Sequence, residues 1–241
     1  MDSTQDQKMK VEIWSDVMCP FCYIGKRKFE KGLEGFAHND KVEVVWKSFQ
    51  LDPTLKTDAS VSINQMLAEK KGWSLKQAQE ANDYVTGIAS EVGLTYHLDK
   101  AVVANSFDAH RLSHLAKKHN RQDQLEERLF AAYFTEGKNT GDKKTLVQIG
   151  SDAGLAEKEV RHILDSPEYG DAVESDIARA AQVGVRGVPF FVLGNKYAVS
   201  GAQDPATFTQ ALDMAWGEWS KENAAPQLLS DGAACGPDGC D

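Results

Sequence analysis

The chain is poor in cysteine and has no long apolar run. Only four of its 241 residues are cysteine. No stretch reaches the roughly 18 apolar residues that a transmembrane helix requires, so the sequence predicts no such helix. The opening residues, MDSTQDQKMKVEIW, lack the apolar core of a signal peptide, and we therefore expect a cytoplasmic protein. In a reducing compartment, a C-x-x-C motif is more often catalytic or metal-binding than a structural disulfide.

Basic side chains are in deficit as well. The chain has 27 lysines and arginines against 36 aspartates and glutamates, a formal net charge of -9. This acidic balance argues against partners such as nucleic acids or anionic membranes. Glycine-rich phosphate loops, serine nucleophile elbows and paired-carboxylate motifs are missing too, since GDKK and GVRG match no phosphate-binding pattern. The sequence therefore implies no cofactor.

Two segments near the N terminus have the patterns of strands. Residues 9–16 alternate apolar and polar side chains, and residues 41–49 are β-branched and aromatic. Between them, apolar residues at spacings of seven, four and three predict one face of a helix. These residues are Cys22, Phe29, Leu33 and Phe36.

The remainder of the chain is a long helical block followed by a second group of strands. Residues 63–183 have a helical period and no convincing strand. Strands return at 188–194 and 196–201, and Gly194-Asn195 between them predicts a hairpin. Asp204 and Pro205 predict the N-cap and first residue of a last helix. The sequence thus predicts an α/β unit (1–60 and 184–222) split by an all-helical insertion (61–183) and followed by a flexible tail (223–241).

The central motif is Cys19-Pro20-Phe21-Cys22, which lies at the predicted start of the first helix. A thiol reacts as its thiolate, and the free N–H groups and dipole of a helix N terminus stabilise that anion. Proline suits the first helical position, where its missing N–H has no intrahelical partner. Cys22 follows one turn later, within reach of a disulfide. We expect an exposed attacking thiol at Cys19 and a shielded resolving thiol at Cys22.

The main alternative for this motif is half of a zinc site. Such a site needs two further ligands, and the only other cysteines are Cys235 and Cys240 in the distant tail. No histidine has zinc-finger spacing from Cys22, so the redox interpretation is favoured and no metal is assigned.

A second motif, RGVPFF, places Pro189 at the start of a strand. Taken alone, it favours an ordinary trans proline at a strand edge.

Together, several segments resemble the thioredoxin superfamily, its DsbA-like branch and, within that branch, the FrnE-type proteins. The matching segments are WSDVMCPFCYIGKRKFEKGL, NSFDAHRL, VGVRGVPFFVLGNKYAVSGAQ and CGPDGC. The resemblance implies a thioredoxin-like fold with a large all-helical insertion domain, Cys19 as nucleophile and Cys22 as resolving thiol. It also implies a cis bond between Val188 and Pro189, whose backbone faces the sulfurs and pairs with an extended substrate strand.

Further substrate-binding candidates come from the same resemblance and from proximity to the motif. In the relatives, NSFDAHRL lies near the cleft, so Asn105, His110 and Arg111 are candidates to line it. A plain structural role on a helix face is the stronger interpretation for His110. Pro20, Phe21 and Trp14 flank the thiols and form a candidate apolar contact surface, although Trp14 also fits the core equally well.

The tail carries a second cysteine pair, Cys235 and Cys240. The spacer between them, GPDG, favours a turn, so a disulfide could close there without strain. Two spare thiols are the alternative. We hypothesise that this pair exchanges disulfides with Cys19–Cys22, within one chain or across a dimer, as the similar second pair of FrnE-type proteins implies.

The predicted function is a thiol–disulfide oxidoreductase or isomerase that acts on protein or peptide thiols and disulfides. Glutathione or a thioredoxin-type protein is the expected reductant, and the protein is expected to be a monomer or a homodimer. Two alternatives stay open. One is a glutathione-linked isomerase of small aromatic compounds, whose nucleophile is usually serine; the other is a metal-binding redox module.

Overall fold

A computed structural model describes residues 7–223 and, beyond them, the backbone of 235–236 and 239–240. The side chains of the predicted tail pair, Cys235 and Cys240, therefore lie outside the described residues. The strands are β1 (Met9–Ser15), β2 (Val42–Ser48), β3 (Asp58–Ser62), β4 (Val102–Val103), β5 (Phe190–Leu193), β6 (Tyr197–Ser200), β7 (Cys235–Gly236) and β8 (Gly239–Cys240). The helices are α1 (Pro20–Glu34), α2 (Ile63–Lys71), α3 (Leu75–Glu91), α4 (Phe107–Lys118), α5 (Gln122–Phe130), α6 (Lys143–Asp152), α7 (Glu157–Leu164), α8 (Gly170–Val183) and α9 (Pro205–Glu222).

The central sheet has the strand order β2-β1-β5-β6. β1 runs parallel to β2 and antiparallel to β5, and Ile13 lies opposite both Trp46 and Phe191. A parallel pair needs a crossover connection, which α1 supplies. β1 therefore has a neighbouring strand on each side. Its carboxyl end, where the chain continues into α1, lies between the ends of β2 and β5.

One face of the sheet is covered by α1 and α9. Phe29 of α1 contacts Phe191 and Phe208, with ring centroids 5.5 and 5.6 Å away. The two helices approach closely at Gly32, where a Cβ atom would lie 2.7 Å from the Cβ of Phe208. As predicted, Asp204 is the N-cap of α9 and Pro205 its first residue.

Helices α2 to α8 lie between β2 and β5 in the chain, as the fold prediction requires, and α4, α5 and α8 pack against β2. Two of their side chains bond the open edge of that strand. The Gln122 amide accepts from the Trp46 N–H and donates to its carbonyl, both at 3.0 Å, and Asp176 accepts from the Ser48 N–H at 3.1 Å. Side chains of the insertion thus satisfy backbone groups that would otherwise expose an unpaired edge.

The expectation of no strand within residues 63–183 is wrong at one point. Val102–Val103 forms β4 and pairs antiparallel with β3, which also went unpredicted. β4 is too short to show an alternating pattern, and the residues of β3 are mostly exposed. The β5–β6 hairpin is confirmed, with positive φ at both Gly194 and Asn195. Among the described residues, no helix has the length and apolarity to cross a membrane.

Candidate active site

The Cys19–Cys22 motif lies where β1 gives way to α1. Cys19 is the N-cap of α1, with φ -86° and ψ 111°, and Pro20 is the first helical residue. The Cys19 N–H donates to the Asp16 carbonyl at 2.9 Å, and the Cys22 N–H donates to the Cys19 carbonyl at 3.0 Å. The predicted placement of both thiols at a helix N terminus is therefore confirmed.

The two thiols are more deeply placed than the sequence suggested. Cys19 is only 4% exposed and Cys22 1%, so the expectation of an exposed attacking thiol is wrong. The cover includes the chain near Val188, since the Cys19 thiol donates to the Val188 carbonyl at 3.4 Å. A helix start predicts where a thiol lies along the chain, but it carries no information about a distant segment that covers it.

The protonation of Cys22 suits a resolving thiol. Burial raises the pKa of Cys22 well above its ordinary value, and the hydrogen bond and charge of Cys19 raise it further. The Ser15 hydroxyl and the Asp16 backbone N–H oppose this rise without cancelling it. The raised pKa favours the protonated form of Cys22 near neutral pH, which suits a thiol that reacts second.

The Val188–Pro189 peptide bond is cis, as the resemblance implied. Its Val188 carbonyl faces the Cys19 sulfur, and the Pro189 carbonyl accepts from the Gly201 N–H at 2.8 Å. Pro189 packs against α1 at Gly25, where a Cβ atom would lie 2.8 Å from the proline Cγ. Pairing of this backbone with an extended substrate strand remains a prediction.

An apolar surface borders the thiols. Phe21 is 40% exposed and Leu51 45%, whereas Pro20, Met18 and Val188 are partly buried. Sequence reasoning missed Leu51. Because β2 runs parallel to β1, the chain that follows β2 lies beside the chain that follows β1, and Leu51 comes close to Asp16. The Phe49 N–H donates to the Ser15 carbonyl and the Leu51 N–H to the Asp16 carboxylate, at 3.0 and 2.8 Å.

Asp16, also missed, organises the turn before Cys19. Besides Leu51, its carboxylate accepts from the Met18 N–H at 3.4 Å. Across from it, Nε2 of His110 lies 3.6 Å from Oδ1, an ion-pair distance too long for a hydrogen bond. Burial alone would raise the pKa of Asp16, but the facing His110 and the Leu51 N–H lower it overall. Burial would lower the pKa of His110, and Asp16 raises it overall.

His110 does not line an accessible cleft. It is 3% exposed, on the inward face of α4, and its role in substrate binding stays a prediction. The positive charge that balances Asp16 comes from α4, a helix of the insertion. His110 therefore faces the turn before Cys19 from the side of the insertion, across from Asp16.

Two other candidates from the same segment, Asn105 and Arg111, make contacts within the fold, and their site roles stay predictions. The Asn105 amide donates to the Leu55 carbonyl at 2.7 Å and its oxygen accepts from the Phe107 N–H at 2.9 Å. Asn105 thus fixes the loop after β2 and has no free amide donor directed at the thiols. Arg111 is buried and donates to backbone carbonyls, including that of Glu168 at 2.8 Å.

Trp14 belongs to the core. It is fully buried, and its indole N–H donates to the Asp176 carbonyl at 3.0 Å, so a place in the exposed contact surface is wrong. Because β1 is a central strand, both of its faces are covered. The alternation of apolar and polar residues along it therefore did not distinguish buried from exposed side chains.

Within the described ranges, no cluster of three or more histidine, cysteine, aspartate or glutamate side chains has metal-binding geometry.

Residues 10–213 match the model of the DSBA-like thioredoxin domain. The chain belongs to this family. It is 44% identical to a probable DsbA oxidoreductase from Streptomyces coelicolor, whose crystal structure superposes with a TM-score of 0.83 over 97% of this chain and 98% of that one.

Two more distant proteins extend the comparison. The uncharacterized protein YwbO of Bacillus subtilis is 26% identical over 215 residues, covering 84% of this chain and 94% of its own. A 2-hydroxychromene-2-carboxylate isomerase is 16% identical, with a TM-score of 0.59 over 90% of this chain and 98% of that one. At that identity, the isomerase shares the fold, and its chemistry does not transfer.

Proposed function

We propose that the protein is a thiol–disulfide oxidoreductase that acts on disulfides of proteins or peptides through Cys19 and Cys22. The observation that carries the proposal is the arrangement of the pair. Cys19 caps a helix N terminus and faces the Val188 carbonyl, while Cys22 lies buried one turn behind it. Membership of the DSBA-like family supports the oxidoreductase class.

The reaction proceeds in two exchanges. The Cys19 thiolate attacks one sulfur of the substrate disulfide, that S–S bond breaks, and the other substrate sulfur leaves as a thiolate that takes up a proton. Cys22 then gives up its proton and attacks the Cys19 sulfur of the mixed disulfide. The second substrate thiol is released, Cys19 and Cys22 are joined, and the substrate has gained two electrons. In reverse, the same steps oxidise a dithiol.

Turnover as a reductase requires an external dithiol or thiol. A thioredoxin-type protein or glutathione has the chemistry to reduce the Cys19–Cys22 disulfide, and a cytoplasmic location would favour this direction. If a mixed disulfide is instead attacked by another substrate thiol, the outcome is isomerisation. The reductant, the direction of electron transfer and the isomerase activity are therefore all proposed.

Assignment to the FrnE type and a shuttle role for the tail are further parts of the proposal. The backbone of β7 pairs antiparallel with β8, with Cys235 opposite Cys240, which is compatible with a turn between the two cysteines. The tail pair would accept the disulfide from Cys19–Cys22 and pass it to the reductant, leaving the first pair reduced. The GPDG spacer supports the turn.

The proposal is tested with a fluorogenic peptide disulfide and a stoichiometric amount of pre-reduced protein. We expect one peptide disulfide to be reduced for each Cys19–Cys22 pair oxidised, and Cys19→Ser to abolish this reaction. Failure of the reduced protein to exchange with any peptide disulfide would overturn the proposal. Activity on a small aromatic substrate that needs glutathione and survives Cys22→Ser would instead support the isomerase alternative.

A further inference from the structure

Tyr96 connects the helical insertion to the redox motif. It lies between α3 and β4 and is almost fully buried. Its hydroxyl donates to the carbonyl oxygen of Pro20 at 2.7 Å. Pro20 is the first residue of α1 and one of the two residues between the cysteines. A side chain far away in sequence therefore contacts the backbone of the Cys19–Cys22 turn directly.

The position of this hydroxyl is fixed by stacked rings. The Tyr96 ring lies against Phe134, with centroids 4.6 Å apart, and against Tyr23 at 6.2 Å. Tyr23 in turn stacks on Phe130 at 5.0 Å. Buried rings in such a column lose little further freedom when a hydroxyl forms its hydrogen bond. Tyr96 is therefore set in place before any reaction at the thiols.

Tyr96 is also electrostatically close to both sulfurs. Burial raises the pKa of Tyr96 most strongly, and negative charge on Cys19, on Tyr23 and on Cys22 raises it further. The phenol therefore keeps its proton whenever a thiolate forms and remains a hydrogen-bond donor throughout the reaction.

The hydrogen bond to the Pro20 carbonyl fixes the backbone between the two cysteines. Proline has no N–H, so this carbonyl is the only backbone hydrogen-bonding group that Pro20 has. In the resolving exchange, Cys22 must attack the Cys19 sulfur in line with the bond that breaks, and small displacements of reacting groups slow such steps. A fixed Pro20 carbonyl restrains the turn that sets the distance and angle between the two sulfurs.

We propose that Tyr96 is a positioning residue for the resolving exchange: its hydrogen bond to Pro20 holds the turn so that Cys22 meets the mixed disulfide at Cys19. The proposal rests on the proposed function, since it concerns the second step of that reaction. Through this contact the insertion takes part in the chemistry without touching the substrate. The first exchange needs only Cys19 and is independent of the alignment of Cys22.

The test separates the two exchanges in the Tyr96→Phe variant, which keeps the ring and removes the hydroxyl. Mixed-disulfide formation is timed with a peptide disulfide in the Cys22→Ser background. Release of the second peptide thiol is timed with Cys22 present. We expect Tyr96→Phe to slow release roughly fivefold, the rate equivalent of one hydrogen bond, and to leave formation within about twofold.

Tyr23→Phe is the matched control. It removes a hydroxyl from the same column of rings, but that hydroxyl donates to Glu127 at 2.6 Å. We expect it to lower thermal stability about as much as Tyr96→Phe and to leave both exchanges unchanged. An equal slowing of both steps by Tyr96→Phe, no slowing of release, or the same slowing in Tyr23→Phe would overturn the positioning role.

A second substitution keeps the test decisive if Tyr96→Phe folds poorly. Replacement of Tyr96 by 3-fluorotyrosine keeps the hydroxyl and nearly the same shape and makes it a stronger donor, so release should be faster than in the natural protein. Release at the natural rate or slower would contradict the proposal. Absence of any mixed disulfide in the otherwise unaltered Cys22→Ser protein would be a failure of the proposed function and not of the Tyr96 role.

Discussion

The thiol of Cys19 donates to the carbonyl oxygen of Val188 across 3.4 Å. This contact joins the start of α1 to the segment before β5 and uses a backbone acceptor at the opening of the site. Once Cys19 loses its proton or enters a mixed disulfide it has no S–H to donate, and the Val188 carbonyl becomes available to another donor. We infer that this carbonyl then accepts from a substrate N–H, so that attack and backbone recognition are linked.

Cys22→Ser should trap the substrate on Cys19. Serine at this position keeps the size of the side chain but cannot displace a sulfur, so the mixed disulfide has no internal route to resolution. Intact-protein mass spectrometry after addition of a peptide disulfide should show one peptide per chain. The matched Cys19→Ser protein should carry none, because the buried Cys22 keeps its proton. Labelling of Cys22 at a comparable rate would contradict the assigned roles.

Gly25→Ala should impair the site although alanine favours helices. The new methyl group would lie 2.8 Å from Cγ of Pro189, so Pro189 or α1 must shift. Overpacking of this kind costs roughly 1–3 kcal/mol, and the shift also displaces the Val188 carbonyl from Cys19. We expect a lower melting temperature together with slower mixed-disulfide formation.

Gly87→Ala in α3 is the control for that substitution. A Cβ atom there has no neighbour within 4 Å, so only the helix propensity of alanine acts. That propensity favours folding by up to about 1 kcal/mol. The melting temperature should therefore stay the same or rise, with unchanged exchange rates. A Gly25→Ala protein that behaves like Gly87→Ala would show that the contact with Pro189 is unimportant.

The Asp16–His110 pair should make stability fall as pH rises above neutrality. Because the pKa of His110 is raised in the folded protein above its ordinary 6.5, the folded state binds more protons than the unfolded state above that pH. This contribution is complete below pH 6.5 and is lost as pH rises through the folded-state pKa. Asp16, whose pKa is lowered, adds stability that is lost only on acidification through its folded-state value.

Denaturant unfolding of Asp16→Asn at several pH values tests this linkage. Without the facing carboxylate, the folded-state pKa of His110 should drop, and the decline of unfolding free energy above pH 6.5 should flatten or reverse. His162→Gln is the control, since the His162 side chain is 72% exposed and its loss should leave the slope unchanged. A slope in Asp16→Asn equal to that of the natural protein would show that His110 does not depend on Asp16.

Replacement of both Cys235 and Cys240 by serine should slow multiple turnover with an external reductant or shift the redox poise of the protein. The single stoichiometric exchange at Cys19 should be unaffected, because it precedes any transfer to the tail. Steady-state assays with glutathione and with a thioredoxin-type protein separate these outcomes. Unchanged kinetics on every substrate would eliminate the shuttle.

Local patterns in the sequence were enough for the turn that carries Cys19 and Cys22 and for the elements on either side of the helical block. Pro20 at the first helical position, Gly194-Asn195 in the hairpin and Asp204-Pro205 at α9 each depend on a few neighbouring residues. The fold class came from motifs in order along the chain, and the family match confirms it. The predicted boundaries at residues 60 and 183 remain predictions.

What could not be predicted depends on contacts between distant segments. Asp16 meets His110, and Tyr96 meets Pro20, only because the helical insertion packs behind the redox turn. Leu51 reaches the site because β2 pairs in parallel with β1. Residues of these types occur throughout any chain, and no local pattern distinguishes the ones that a tertiary contact will select.

The most direct test of the redox role is an equilibrium titration. The purified protein is equilibrated in graded ratios of reduced to oxidised glutathione, quenched with an alkylating agent, and every cysteine is mapped by peptide mass spectrometry. We predict that Cys19 and Cys22 titrate together as one two-electron couple with a single midpoint. Thiols that stay protected at every ratio and become reactive only after a chelator removes a metal would contradict it.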